Sequence, residues 1–188
     1  MRSSITKITR REILGIIGLV VFIIGLLLVG SQIDLTFISD YVKNAGVWAP
    51  LVFILVKAST ITFAPLSGTP LYVLAGTMFG LSGGIFYTFL GDLLGFSILF
   101  FLSRIYGLRF IKFLTKKKDS NFILLIQKNI NDVRSFIKIT LVFFWFPEAT
   151  IAASGLGKLK YTTIMIVFMP IYSAVASLVV FVSWKVLG

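Results

Sequence analysis

Two prolines and a glycine interrupt apolar sequence at Phe63-Ala64-Pro65-Leu66-Ser67-Gly68-Thr69-Pro70, with Val47 to Thr62 before and Leu71 to Gly80 after. A proline lacks an N–H and clashes with the preceding helical turn, so a helix cannot continue through this stretch. A broken backbone facing lipid leaves polar groups unpaired, so such breaks survive only against protein or a wet cavity. A second break, Phe146-Pro147-Glu148, lies in similar sequence. The chain therefore reads as two broken hairpins, each followed by a long helix.

The surrounding composition places these breaks in a membrane. Of 188 residues, 57% are hydrophobic, and the mean hydropathy is +1.00, well above a soluble domain. The sequence has no cysteine and no histidine. Disulfides, thiol catalysis, histidine-based catalysis and Cys or His metal sites are thereby excluded, and no cofactor is expected. The net charge of +11 comes from basic residues gathered at the N-terminus and in one loop. That distribution fits a membrane surface better than nucleic acid, so the expected partners are membrane lipids and not nucleic acid.

In chain order, Arg2, Lys7, Arg10 and Arg11 precede an uncharged run, Ile13 to Gly30, long enough to cross ~30 Å of hydrocarbon. An uncleaved anchor helix is favoured over a signal peptide, because the run is long and no A-x-A site follows. Ser31 to Gly46 has the spacing of an amphipathic surface helix, with a solvated connector as the alternative. The expected organisation is thus an anchor and surface segment, 1–46, and a membrane domain, 47–188. The domain's hairpins are expected at about 47–80 and 139–157.

The arm Leu71 to Gly80 is too short to cross at ~1.5 Å per residue, which favours a re-entrant hairpin. Gly76, Gly80 and Gly84, then Gly91 and Gly95, recur four apart and suit close helix packing. Gly84 to Arg104 reads as a long apolar helix. From Arg104 to Lys138 nine basic residues face only Asp119 and Asp132, while Phe122, Ile123, Ile126, Ile130, Val133 and Ile137 recur at helical steps. This predicts a basic surface helix, a generic anchor rather than a specific headgroup site. Tyr161 to Val182 is the last span, with Pro170 as an expected kink.

By the positive-inside rule, the N-terminus and the loop 104–138 are cytoplasmic. The region 47–80 must then start and finish outside, as a re-entrant hairpin does. The same logic brings the second hairpin in from the inside. The two hairpin-plus-helix units, about 47–107 and 139–186, then have opposite orientation. The expected fold is all-α and integral to the membrane: an N-terminal anchor helix and two oppositely oriented re-entrant hairpins, each followed by a transmembrane helix. Such inverted repeats are common in transporters, with the site near the midplane.

Few ionisable residues fall within the apolar segments: Lys57, Asp92 and Glu148, with Arg104 at a helix end. Buried charges in a bilayer are costly and usually face a cavity or one another. These residues either line one polar cavity or include a structural Lys57–Asp92 pair; Lys57 could instead snorkel to an interface. Asp92 and Glu148 are the candidates for ion coupling. The backbone around Ser67, Gly68 and Thr69 either binds an anion at a helix N-terminus or satisfies itself internally. Pro65, Ser67, Gly68, Thr69, Pro147, Arg104 and Lys57 form the candidate substrate site.

The stretch Phe63 to Leu71 with Ala75-Gly76 and Phe79-Gly80 resembles the first signature of the DedA and VTT-domain superfamily, also called the SNARE-associated Golgi protein family. Gly91-Asp92 with Ser103-Arg104-Ile105-Tyr106-Gly107 is similar to its "GD…GR..G" signature. Phe146-Pro147 with Ala153-Ser154-Gly155-Leu156 is similar to its second hairpin. In order and spacing these motifs cover about Val47 to Val186, and the Gly-Thr-Pro form is closer to the VTT branch. Two positions depart from the pattern: Thr69 stands where many DedA members have an acid, and Phe144 where both branches have an arginine. The resemblance implies opposed re-entrant hairpins and lipid translocation: flipping of phospholipid or polyprenyl-phosphate carriers in bacteria and archaea, and scrambling in eukaryotic relatives. A flippase or scramblase in a prokaryotic plasma membrane is the expectation. A non-transporting scaffold or assembly factor whose hairpins bind partner helices is the alternative, favoured by the glycine spacings and by the missing arginine at Phe144. Too few and too scattered acids remain for an intramembrane enzyme. The oligomeric state, including a homo-oligomer, is left open.

Overall fold

The structure, a computed structural model, describes residues 42, 44–63, 69–114, 117–144 and 146–187. The expected anchor 13–30, most of the segment 31–46, and Pro65, Ser67 and Gly68 of the first break lie outside the described residues. The described residues are helical, with no strand among them. A 3-10 turn, Gly46–Trp48, leads into α1 (Ala49–Phe63) and α2 (Thr69–Tyr106). Then come α3 (Leu108–Leu114), α4 (Lys117–Lys128), α5 (Val133–Val142), α6 (Pro147–Leu156) and α7 (Tyr161–Leu187). Three segments, Gly46–Phe63, Pro70–Tyr106 and Tyr161–Leu187, are long and apolar enough to cross a membrane. The protein is therefore helical and compatible with integral membrane insertion.

The second of these segments is not one straight rod. Gly80, with φ 66° and ψ −172°, adopts a backbone essentially reserved for glycine. In a straight helix Ala75 and Gly84 would be about 13 Å apart at ~1.5 Å per residue. Instead a Cβ at Gly84 would lie 2.8 Å from the Ala75 carbonyl oxygen. The chain folds back at Gly80 into a short arm, 69–79, and a long arm, 81–106. Phe53, early in α1, meets Phe79, late in the short arm, with ring centroids 5.3 Å apart. So α1 and the short arm form a helical hairpin that begins and ends at the same level.

The long arm runs parallel to α1 because Gly91 packs on Lys57, and Gly95 on Ala58 and Ile61. It runs antiparallel to α7, since Gly84 packs on Val180 and Phe96 meets Phe168 and Tyr172. The glycine rows are filled by the chain itself. Gly76 abuts Ser183 and the Val180 carbonyl, and Gly155 abuts Ser103 and the Phe100 carbonyl. With no side chain at these positions, backbones approach closely.

In the second unit, Asp132 and Ser135 form a reciprocal capping box that starts α5 at Val133, ahead of the expected 139. The recurrence of apolar residues from Phe122 to Ile137 therefore spans two helices, α4 and α5, rather than one. The apolar face of α4 also has a different partner from a membrane surface. Ile123, Ile126 and the following Ile130 are buried in one core with Ile151, Ala152 and Ala153 of α6. Pro147 occupies the first turn of α6, where a missing N–H is harmless. Every residue from Pro147 to Gly155 is buried, so α6 is wrapped by α2, α4 and neighbouring helices. Pro170 sits within α7, and the helix continues on both sides.

Outside these cores the surface is rich in large apolar side chains. Leu51, Leu55, Phe86, Phe101, Ile166, Leu178 and Val182 are all exposed, as expected where lipid rather than water is the neighbour.

Candidate functional site

The densest polar feature lies among three helices. Lys57 of α1 and Asp92 of the long arm form an ion pair at 3.1 Å, with side chains 0% and 1% exposed. Tyr72 of the short arm donates its hydroxyl toward both Asp92 carboxylate oxygens, at 3.0 and 3.1 Å. The Lys57 ammonium also sits 3.4 Å from the centroid of the Tyr72 ring, a cation–π contact. The Tyr72 hydroxyl is 2.8 Å from the Tyr172 hydroxyl on α7. Four elements thus meet through one hydrogen-bonded cluster.

Local sequence explains how the partners arrive there. Gly91 lacks a side chain, and a Cβ there would press on Lys57 at 3.1 Å. Gly95 lets α1 approach the same arm one turn later, and Thr62 lies 3.5 Å from the Gly95 carbonyl. Such close contact carries the Lys57 side chain across to Asp92. Beyond the ion pair, the ammonium has no hydrogen-bond partner among the described residues. A lone buried charge would be very unfavourable, and opposite charge, ring and hydroxyl offset that cost together. The structure therefore bears out the pairing of Lys57 with Asp92 and removes snorkelling as the fate of Lys57.

Glu148 lies in the first turn of α6, 6% exposed. It makes no ion pair among the described residues, but it is near enough to feel the charges of Lys57 and Asp92. Pro147 lines a small apolar hollow with Thr140, Phe143, Phe168 and Tyr172. The second break thus comes up to the cluster from the side of Tyr172.

Arg104 is not part of this gathering. It lies twelve residues beyond Asp92 on the same helix, about 18 Å away at 1.5 Å per residue. Its guanidinium donates to the carbonyls of Gly155 at 2.6 Å, Ser154 at 3.3 Å and Leu159 at 2.9 Å. It also rests 4.9 Å from the Phe100 ring centroid. These carbonyls close the C-terminal end of α6, where a cation is favourable. The structure thus places Arg104 apart from Lys57, at the C-terminal end of a helix that it caps. Thr69 opens α2, while Pro65, Ser67 and Gly68 lie outside the described residues.

A partly open cleft of about 260 Å³ leads to Asp92 between the long arm and α7. Its walls include Ser82, Thr88, Ser173 and Ser177, with Phe86 and Phe89 beside them. Phe86 is 57% exposed and Phe89 37%, which puts their rings at the mouth. The Thr88 hydroxyl is buried with no partner among the described residues.

Sequence reading missed the two tyrosines and this cleft. Their signal was available. Thr88 and Asp92 are four apart in an apolar helix, as are Ser173 and Ser177, so each pair shares one helix face. A buried tyrosine hydroxyl also needs a partner.

Among the described residues, no group of three or more acidic, histidine or cysteine side chains could hold a metal. Asp132 lies outside the spans. The Ser135 backbone N–H and hydroxyl hold its carboxyl below the usual carboxylate range. In comparisons with known proteins, no family model, curated protein or solved structure matches the chain.

Proposed function

We propose that the chain is an integral membrane lipid transporter, a flippase or scramblase, as its resemblance to the DedA and VTT-domain superfamily implies. The observation that carries this reading is the cleft between the long arm and α7, which ends at a buried charged residue. Asp92 lies about 18 Å from the Gly80 corner and about 21 Å from Tyr106 along the arm, close to mid-depth for a bilayer crossing. A headgroup would enter the cleft while its tails stay among the exposed apolar side chains.

Two features of the fold support the reading. The hairpin of α1 and the short arm starts and ends at one level, as a re-entrant hairpin must. The long arm and α7 run antiparallel, as the corresponding helices of an inverted repeat do. In this account one unit rocks against the other about the Tyr72–Tyr172 contact, and Asp92 or Glu148 couples the motion to an ion. In this reading the N-terminus and the loop 104–138 face the cytoplasm, on the positive-inside rule, and a prokaryotic plasma membrane is carried over from the resemblance. The glycine spacings, one of the two features that favoured the scaffold reading, have another use here. Gly76, Gly84, Gly91, Gly95 and Gly155 instead receive helices of the same chain.

The test is reconstitution into vesicles carrying a panel of fluorescent phospholipids and glycolipids, with a membrane-impermeant reductant added outside. Access of the reductant to inner-leaflet lipid above that of empty vesicles is expected. It should be lost in Pro147→Leu and Asp92→Asn, and on replacing Pro65 or Gly68, with the protein still inserted. Equal lipid movement by all these variants would sink the proposal. A stable partner protein with no flux of any lipid would decide for the scaffold.

A further inference from the structure

The chemistry of the cleft is selective. Its polar lining consists of hydroxyls, on Ser82, Thr88, Ser173 and Ser177, and one carboxylate, Asp92. No lysine or arginine lines it. The nearest described cation, Lys57, is fully buried, paired with Asp92 and seated on the Tyr72 ring. A phosphate entering here would give up water, meet a carboxylate and find no free cation, which is strongly unfavourable. A polyol would find what it needs. Serine and threonine hydroxyls both donate and accept, and a carboxylate accepts from two neighbouring hydroxyls at once. Thr88, one of the lining residues, has a buried hydroxyl with no partner among the described residues. The exposed Phe86 and Phe89 rings offer flat apolar faces to the C–H side of a sugar ring. At about 260 Å³ the cleft is just below the ~300–1,000 Å³ of drug-sized sites, so it suits one ring rather than a chain of them.

We propose that this cleft binds the uncharged, hydroxyl-bearing headgroup of a membrane lipid, a monoglycosyl or glyceryl group, with the tails leaving past Phe86 and Phe89. The substrate class follows from the lining and rests on the transporter reading above. A lipid-borne polyol is favoured over a soluble one because the mouth opens among exposed apolar side chains of two candidate spans.

The full chain is purified in a detergent without a sugar headgroup and reconstituted in phosphatidylcholine vesicles. Each preparation carries one fluorescent lipid: monoglucosyl-diacylglycerol, phosphatidylglycerol or phosphatidylethanolamine. The glucosyl lipid is expected to move at least about tenfold faster than phosphatidylglycerol. The Ser173→Ala/Ser177→Ala double variant should lower the glucosyl rate about tenfold, the loss of roughly one net hydrogen bond. The same variant should slow phosphatidylglycerol less than the glucosyl lipid, so that the ratio of the two rates falls. Equal or faster movement of phosphatidylglycerol overturns the proposal, as does fastest movement of phosphatidylethanolamine, whose ammonium would then be what Asp92 selects. If no lipid moves, the transport reading fails by itself, and native mass spectrometry of the same protein decides the site. Preferential retention of the glucosyl lipid, lost in Ser177→Phe, supports the site. Equal retention of all three lipids, or equal affinity for free methyl glucoside, overturns it.

Discussion

Lys57 and Asp92 allow a quantitative test of the packing at the heart of the molecule. At 3.1 Å and an effective dielectric of ~20, their Coulomb attraction is about 5 kcal/mol. Desolvation of both charges opposes it, so the pair as a whole contributes much less than that. Removing one partner is different, because the other charge stays buried and alone. Lys57→Met leaves Asp92 with only the Tyr72 hydroxyl. Asp92→Asn leaves an ammonium facing an amide and a ring. Each single change should destabilise by ~3–5 kcal/mol. The double variant carries no buried charge, so it should recover most of the loss, with a coupling of at least ~2 kcal/mol. Unfolding in mixed micelles, titrated with a denaturing detergent and followed by tryptophan fluorescence, gives all four corners of the cycle. Additive effects, with coupling below ~0.5 kcal/mol, would refute the claim that these charges meet in a buried site.

Other consequences follow from backbone approach and capping. Gly76→Ala and Gly155→Ala each force a methyl group into backbone atoms of a neighbouring helix. They should cost ~1–3 kcal/mol in the same unfolding assay. Gly80→Ala meets no atom within 4 Å, yet should still cost ~1–3 kcal/mol, because its φ of 66° with extended ψ is strained for any other residue. The Asp132 carboxyl has a folded pKa below its unfolded value. Its contribution to stability is therefore present above the unfolded value and fades as pH falls through the folded one. Wild type should lose thermal midpoint on acidification more steeply than Asp132→Asn, which keeps an acceptor but cannot be protonated; parallel curves would count against the cap.

Much of this arrangement could be read from particular residues, and some could not. The proline at 147 and the glycine rows marked the second break and the close helix approaches, since their chemistry is local. Lys57 and Asp92 stood out because charge in apolar sequence must find a partner. Which partner was a matter of three-dimensional register, set by Gly91 and Gly95, and spacing alone left it open. Arg104 looked like a ligand-binding cation, but its hydrogen bonds go to carbonyls some fifty residues away in sequence. Nothing local announces such a contact. The apolar face of α4 was legible as a pattern, while its burial on α6 instead of lipid was not. Periodicity reports that a face is covered, not by what.

The proposed path of the lipid runs through the cleft between the long arm and α7. Because the chain has no native cysteine, a single introduced thiol can be labelled without background. Ser177→Cys places one in the cleft wall, and Lys185→Cys places one at the exposed end of α7 as a control. Stoichiometric attachment of a bulky maleimide at position 177 should abolish lipid flux in vesicles, while the same label at 185 leaves it intact. Undiminished flux with position 177 fully labelled would contradict the account.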